Sequence, residues 1–323
     1  VFKVKMKEVG VENDESWCRP RVRKFAFYDV DSSEPLGHVY LDLYVVVFVS
    51  LSLLVSRKII APNTCRYSRP GKPPSASHYV FRCARLDTKT NTNQRPIVTI
   101  SCGFTFGNEN INMSSADTLV HEFGHALHSV VSKTTFQHLA GTRVSMDVVE
   151  IPALLLSKFL WDPRTMSMFS KDESLSRDVA EKVSESERAF VALDRTVTVT
   201  QSLLDLHLHG NKMDSFDEST IVLELERVQN EYLDSAGYHR DKFWLTNFTH
   251  IVIYGASYFT YLYGQAYANV LWNRHFDNDP LQPGCGEVIR KDFLELGNAG
   301  TPERMFENSV GQITLDDLVR GLL

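Results

Sequence analysis

The feature that most limits what this chain can be is the run His121-Glu122-Phe123-Gly124-His125. On a helix, residues four apart share a face, so both imidazoles can reach one ion. Glu122 sits one residue on, where it can polarise a water held at that ion. The surroundings read as helix. Ser114-Ser115-Ala116-Asp117 has the form of a capping box, and Leu119, Phe123, Leu127 and Val130 follow at helical spacing. With 11 His in 323 residues, a chance match is expected in only ~2% of such chains, so a metal site is the reading to build on.

Composition excludes several other classes. The chain is 43% apolar and 23% charged, which fits a globular protein and not a disordered or collagen-like one. A net charge of −6 argues against a nucleic-acid surface. The basic run at 19–24 reads as a solvated strand edge. The uncharged stretch beginning at Leu43 is too short for a membrane span, which needs about 20 residues. Five cysteines with no C-x-x-C pair suggest neither a disulfide framework nor a thiolate zinc site, and point to a reducing compartment. The chain opens at Val1, so a fragment is expected.

The expected fold class is mostly α with a small N-terminal β region. Residues 1–112 read as the β-rich part and 113–323 as the helical part. Runs at 25–28, 38–44 and 96–102 read as strands, and 60–77 and 87–95 as loops. Helices are expected at 146–160, 174–208, 218–234, 248–274, 286–296 and 315–322, the last capped by Thr314-x-x-Asp317. His207-Leu208-His209 reads as a helix end with Gly210 as its cap, not as a metal pair. His138 and Arg143 read as polar loop residues.

A catalytic zinc usually has three protein ligands and one open position, so a third must come from elsewhere. His128 lies a further turn along the same helix, about 10 Å along the axis from His121, which suits packing better than ligation. Glu150 is the better candidate, although Asp147-x-x-Glu150 is equally a capping-box pattern. His250, Tyr254, Tyr258 and Tyr261 fall on one helical face. An aromatic stripe at that spacing is usually core, but four polar tips each need a partner when buried.

The words HEFGHALHS, FQHLAGTR (136–143), DVVEIP (147–152) and WDPR (161–164) resemble the family of thimet oligopeptidase and mitochondrial intermediate peptidase. The segment from His250 to Tyr261, ANVLWNRHFDNDPL (268–281) and the C-terminal TLDDLVRGLL extend the resemblance over nearly the whole chain. It implies a gluzincin-type helical catalytic domain with one Zn²⁺ on His121, His125 and Glu150, and Glu122 as the catalytic base. It further implies Tyr254 and Tyr261 as oxyanion donors and His250 as a substrate contact, with Tyr258 a substrate contact or a packing residue. The wording leans toward mitochondrial intermediate peptidase. The expected activity is then metalloendopeptidase cleavage of unfolded peptides, the N-termini of imported precursors in the mitochondrial matrix. No nucleic-acid partner is implied.

Three departures qualify that expectation. Family members carry a large N-terminal helical region that this chain lacks. Residues 45–67 intervene where the family runs on directly, and read as an insertion. Gly103 stands where the family often has Asn, on the edge strand expected to hold the substrate backbone. The alternatives are a cytosolic oligopeptidase of the same family, or a truncated remnant that binds zinc or peptide without cleaving it.

Overall fold

The structure, a computed structural model, describes residues 1–12, 15, 22–43, 75–103, 111–170, 175–210, 218–232, 245 and 248–322. The insertion expected at 45–67 lies outside these. Seven strands come first: β1 (Val4–Val9), β2 (Arg23–Asp29), β3 (Pro35–Leu43), β4 (Ala76–Arg82), β5 (Arg85–Asp87), β6 (Thr92–Gln94) and β7 (Ile97–Cys102). Five form a sheet in the order β1-β2-β3-β7-β4, with β3 and β7 parallel and the other pairs antiparallel. β5 and β6 form a separate hairpin.

The helices follow: α1 (Met113–Val131), α2 (Met146–Val149), α3 (Ile151–Trp161), α4 (Arg177–Leu208), α5 (Glu218–Tyr232), α6 (Thr249–Ile253), α7 (Thr260–His275), α8 (Cys285–Ile289), α9 (Pro302–Val310) and α10 (Leu315–Leu322). A π-helical turn, Arg290–Leu294, continues α8. No helix among the described residues is long and apolar enough to cross a membrane.

One buried cluster joins sheet and helices. Phe25 and Phe27, Val39 and Leu41, Val98 and Ile100 alternate along their strands and share it with Leu119, Phe123, Ala126 and Val130 of α1. The two periods, two for strands and near 3.6 for the helix, bring these faces together. The same cluster takes in α3 and α7, where Phe159, Trp272 and Phe276 meet edge to face or tilted, with centroids 4.9–5.4 Å apart. Buried Arg290 ties the first residues and β2 to the helical part. It donates to Asp29 at 2.6 Å, to Glu295 at 2.9 Å and to the carbonyls of Phe2 and Lys3. A buried guanidinium is tolerable only with such partners.

Several sequence expectations need correction. Asn112, not Ser114, caps α1, its side chain accepting from Ser115 N at 2.8 Å. The expected helix at 146–160 divides at Glu150, and that at 286–296 gives way to the π turn. That at 248–274 breaks between Ile253 and Thr260, because Ala256 takes a left-handed φ of 59°. α4 ends at Leu208 with His209 as its cap, one residue before Gly210. β6 falls in a stretch read as loop, and β4 and β5 each overlap such a stretch at one end; β4 serves as an edge, and β5 with β6 as a hairpin. The strand leading to Gly103 is interior, and β4 is the edge beside it. Arg23 and Lys24, from the basic run, pair with Glu8 and Glu15 on an interior strand. By contrast, Thr314 and Asp317 do form a reciprocal capping box on α10.

Candidate metal centre

Two helices and the break between α2 and α3 build the centre. His121 and His125 are one turn apart on α1. Glu150 lies where α2 ends and α3 begins, with φ −84° and ψ −17°, and its side chain caps neither helix. Freed from capping, it turns to α1. Its Oε2 lies 3.1 Å from His121 Nε2 and 3.5 Å from His125 Nε2. The candidate ligand atoms of the three residues all lie within 4.8 Å of one another.

Gly124 makes this approach possible. A Cβ there would sit 2.4 Å from Ala153 Cα and 2.7 Å from the Pro152 carbonyl oxygen. Only glycine lets α3 lie so close against α1. Gly264 plays a lesser part on α7, where a Cβ would meet Leu154 and Glu150 at 3.0 and 3.2 Å.

The electrostatics match the geometry. Burial opposes charge on Glu150, yet the two imidazoles override it and hold its carboxyl well below the usual range. Burial likewise opposes the charged form of His121, and Glu150 reverses the balance, raising it. Burial pushes the Glu122 carboxyl up, aided by Glu150 and opposed by His125 and His121. Two imidazoles and a carboxylate converging without a protein cation form a donor set suited to zinc. Among the described residues, no other group of three or more His, Cys, Asp or Glu converges in this way.

His128 is fully buried on α1 and outside this group. Burial, then His125, pushes its imidazole down to about 3. His78, unremarked in the sequence, also stands close. From edge strand β4 its ring lies 6.0 Å from that of His125, and burial pushes it down to about 3. Strand alternation is its only sequence signal, and it falls just past the stretch 60–77 that reads as loop.

The tyrosine segment reaches the same place by a different route. Although the helix breaks, the rings cluster: His250 lies 5.8–6.1 Å from Tyr254, Tyr258 and Tyr261, and Tyr258 lies 5.1 Å from Tyr261. Burial raises the Tyr261 phenol well above its ordinary range, and Glu150 is the next largest cause. Tyr258 is raised by burial alone. Tyr254 is 50% exposed, the least enclosed of the three. Tyr261 and His121 line a cavity of about 620 Å³ between α3, α4 and α7, which Lys158, Arg188 and Arg195 also line. Gly103 is buried at the end of β7, and its N–H donates to the Ser75 carbonyl at 3.2 Å. Arg143 donates to Cys83 Sγ, and His138 lies in a short 3₁₀ turn; neither joins the metal group.

The chain is similar to several known peptidases. Mitochondrial intermediate peptidase of Arabidopsis thaliana is 31% identical over 307 residues, 92% of this chain and 39% of that protein. The Mus musculus mitochondrial intermediate peptidase is 27% identical over 96% of this chain and 40% of its own length. The Homo sapiens protein is 29% identical over 80% and 37%. The chain thus spans about two-fifths of the length of these relatives. Residues 65–320 match Peptidase family M3, and the chain belongs to that family.

Proposed function

We propose that this chain is the catalytic part of a zinc metalloendopeptidase that cleaves unfolded peptides. The observation that carries the reading is the meeting of His121, His125 and Glu150, with Glu122 beside them. Residues 1–112 and 113–323 would then form one catalytic region, with the sheet backing α1. The relatives are named as mitochondrial intermediate peptidases. Carried over, that gives imported precursor proteins as substrates and the mitochondrial matrix as the place of work.

Zinc on His121, His125 and Glu150 would polarise the scissile carbonyl and acidify the attacking water. The chain's own groups do the rest. Glu122, raised by burial, takes the proton from the attacking water and returns it to the leaving amine. Tyr261, kept protonated by burial and Glu150, donates its O–H to the developing oxyanion. Tyr254 is the second donor, reached when substrate draws it in from solvent. His250 holds the three rings together and contacts the substrate. Edge strand β4, from which His78 approaches His125, would lie alongside an extended peptide, and Gly103 supports it through Ser75.

The test is hydrolysis of a quenched fluorescent peptide by the purified chain with stoichiometric zinc. Metal-dependent cleavage that a chelator stops and Glu122→Gln removes is the expected result. Zinc bound at one per chain with no cleavage of any peptide would replace this reading with that of a non-cleaving metal-binding chain.

A further inference from the structure

We propose that Asp205 is a positioning residue for Tyr261, acting through the turn at 254–258; this rests on the reading of Tyr261 as an oxyanion donor. Asp205 lies near the C-terminal end of α4 and is 0% exposed. A carboxyl group in such a place is costly unless its oxygens are satisfied. Its Oδ1 accepts from Ala256 N at 3.0 Å and its Oδ2 from Tyr258 N at 2.9 Å. His209, one turn further on, places Nδ1 2.9 Å from Oδ1. Both oxygens are therefore spent on the turn and on the histidine beside it.

The turn needs that hold. Ala256 has φ 59°, a left-handed conformation that is strained for a non-glycine residue. Strain of this kind persists only where the surroundings over-determine it. Gly255 lies directly against His209, where a Cβ would meet Nε2 at 2.5 Å. Ile251 of α6 packs with Leu204 and Leu208 of α4, so the segment before the turn is docked on the same helix.

The hold passes to the donor by contact. Tyr258, whose amide Asp205 grips, packs edge to face on Phe248 at 4.8 Å and against Tyr261 at 5.1 Å. Tyr261 stands next to α7's first residue, Thr260, which donates to the Met146 carbonyl. Asp205 fixes one end of the tyrosine segment and Thr260 the other. Between them, the Tyr261 hydroxyl is set relative to Glu150 before any substrate arrives.

The experiment compares wild type, Asp205→Asn, Tyr261→Phe and the double variant. We expect Asp205→Asn to lower kcat by about 10²-fold, the scale of a lost oxyanion donor, with KM within about threefold and one zinc per chain retained. We expect the double variant to be little slower than Tyr261→Phe alone, since Asp205 acts through that tyrosine. Losses that multiply, or a kcat unchanged in Asp205→Asn, would overturn the proposal. Amide hydrogen exchange gives a readout independent of catalysis: Ala256 and Tyr258 should exchange faster in Asp205→Asn, and unchanged protection would also overturn it. If the wild type does not cleave, the peptidase reading falls, while exchange still decides whether Asp205 holds the turn. Should Asp205→Asn not fold, Gly255→Ala replaces it. Its Cβ should push the turn off His209 and lower kcat, and adding His209→Ala should restore at least tenfold; no restoration would count against the proposal.

Discussion

His121 of the candidate ligand group and Tyr261 of the tyrosine segment line one cavity, but the two regions are built in opposite ways. His121 and His125 take their spacing from an ordinary helix, and Glu150 is brought to them by a close contact of helices at Gly124. Nothing there is strained; apolar packing sets the positions. Tyr254, Tyr258 and Tyr261 lie on a helix that breaks, around a left-handed alanine, and polar groups of α4 hold the break. Groups that must bind one ion gain from rigidity. On the proposed reading, donors that close on a developing charge can sit on a segment with fewer apolar contacts and a polar anchor.

This contrast can be broken or sharpened by substitution. The largest effect is expected from Glu122→Gln, which would remove the proposed base and leave the candidate ligands in place. Turnover should fall by about 10²–10⁴-fold while zinc stays bound, as rate and metal content measured on one preparation would show. Tyr261→Phe comes next, with about 10²–10³ lost from kcat and KM little changed. Tyr258→Phe should cost far less, because its ring packs and its hydroxyl is not needed.

Gly124→Ala probes the other region. The added methyl must force α3 away from α1, so the cost is about 1–3 kcal/mol of stability, read from a denaturant midpoint. Zinc affinity should fall with it, because Glu150 moves with α3. If affinity were unchanged, the account of Gly124 as the source of the ligand geometry would fail.

The last effect concerns pH. His128 is fully buried and its imidazole is pushed down to about 3 from the ordinary 6.5. The unfolded chain therefore binds a proton in that range that the folded chain does not, and stability is lost as pH falls from about 6.5 toward 3. The slope is about 1.4 kcal/mol per pH unit for one such group. His128→Leu should flatten that limb in metal-free protein without changing stability at neutral pH by as much. An unaltered limb would show that His128 does not carry it.

How much of this could be read in the sequence depends on which physical rule governed each part. The two histidines follow from helical period alone. Glu150 was legible as a candidate, but D-x-x-E describes a cap as well as a ligand. Only the fold, in which the side chain caps nothing and turns to α1, separates the two. The Ser114 box failed because Asn112, two residues earlier, is an equally good cap and satisfies Ser115 N. The tyrosine stripe was legible as a set and misread as one helix, since periodicity does not register a single residue at positive φ. Gly255 was the available hint. Asp205 left only the trace of an acid on a buried helical face between Leu204 and Leu208. His78 left less, because nothing in the segment 78–82 marks which side of the strand meets α1 until the sheet places it at an edge.

The central claim is that His121, His125 and Glu150 together hold one zinc ion. The direct measurement is a zinc titration of the purified chain beside its His125→Ala and Glu150→Ala variants, each checked for fold by circular dichroism. The account predicts one zinc per wild-type chain and a large loss of affinity in both folded variants. Binding that survives both substitutions, or a folded wild type that takes up no zinc, would contradict it.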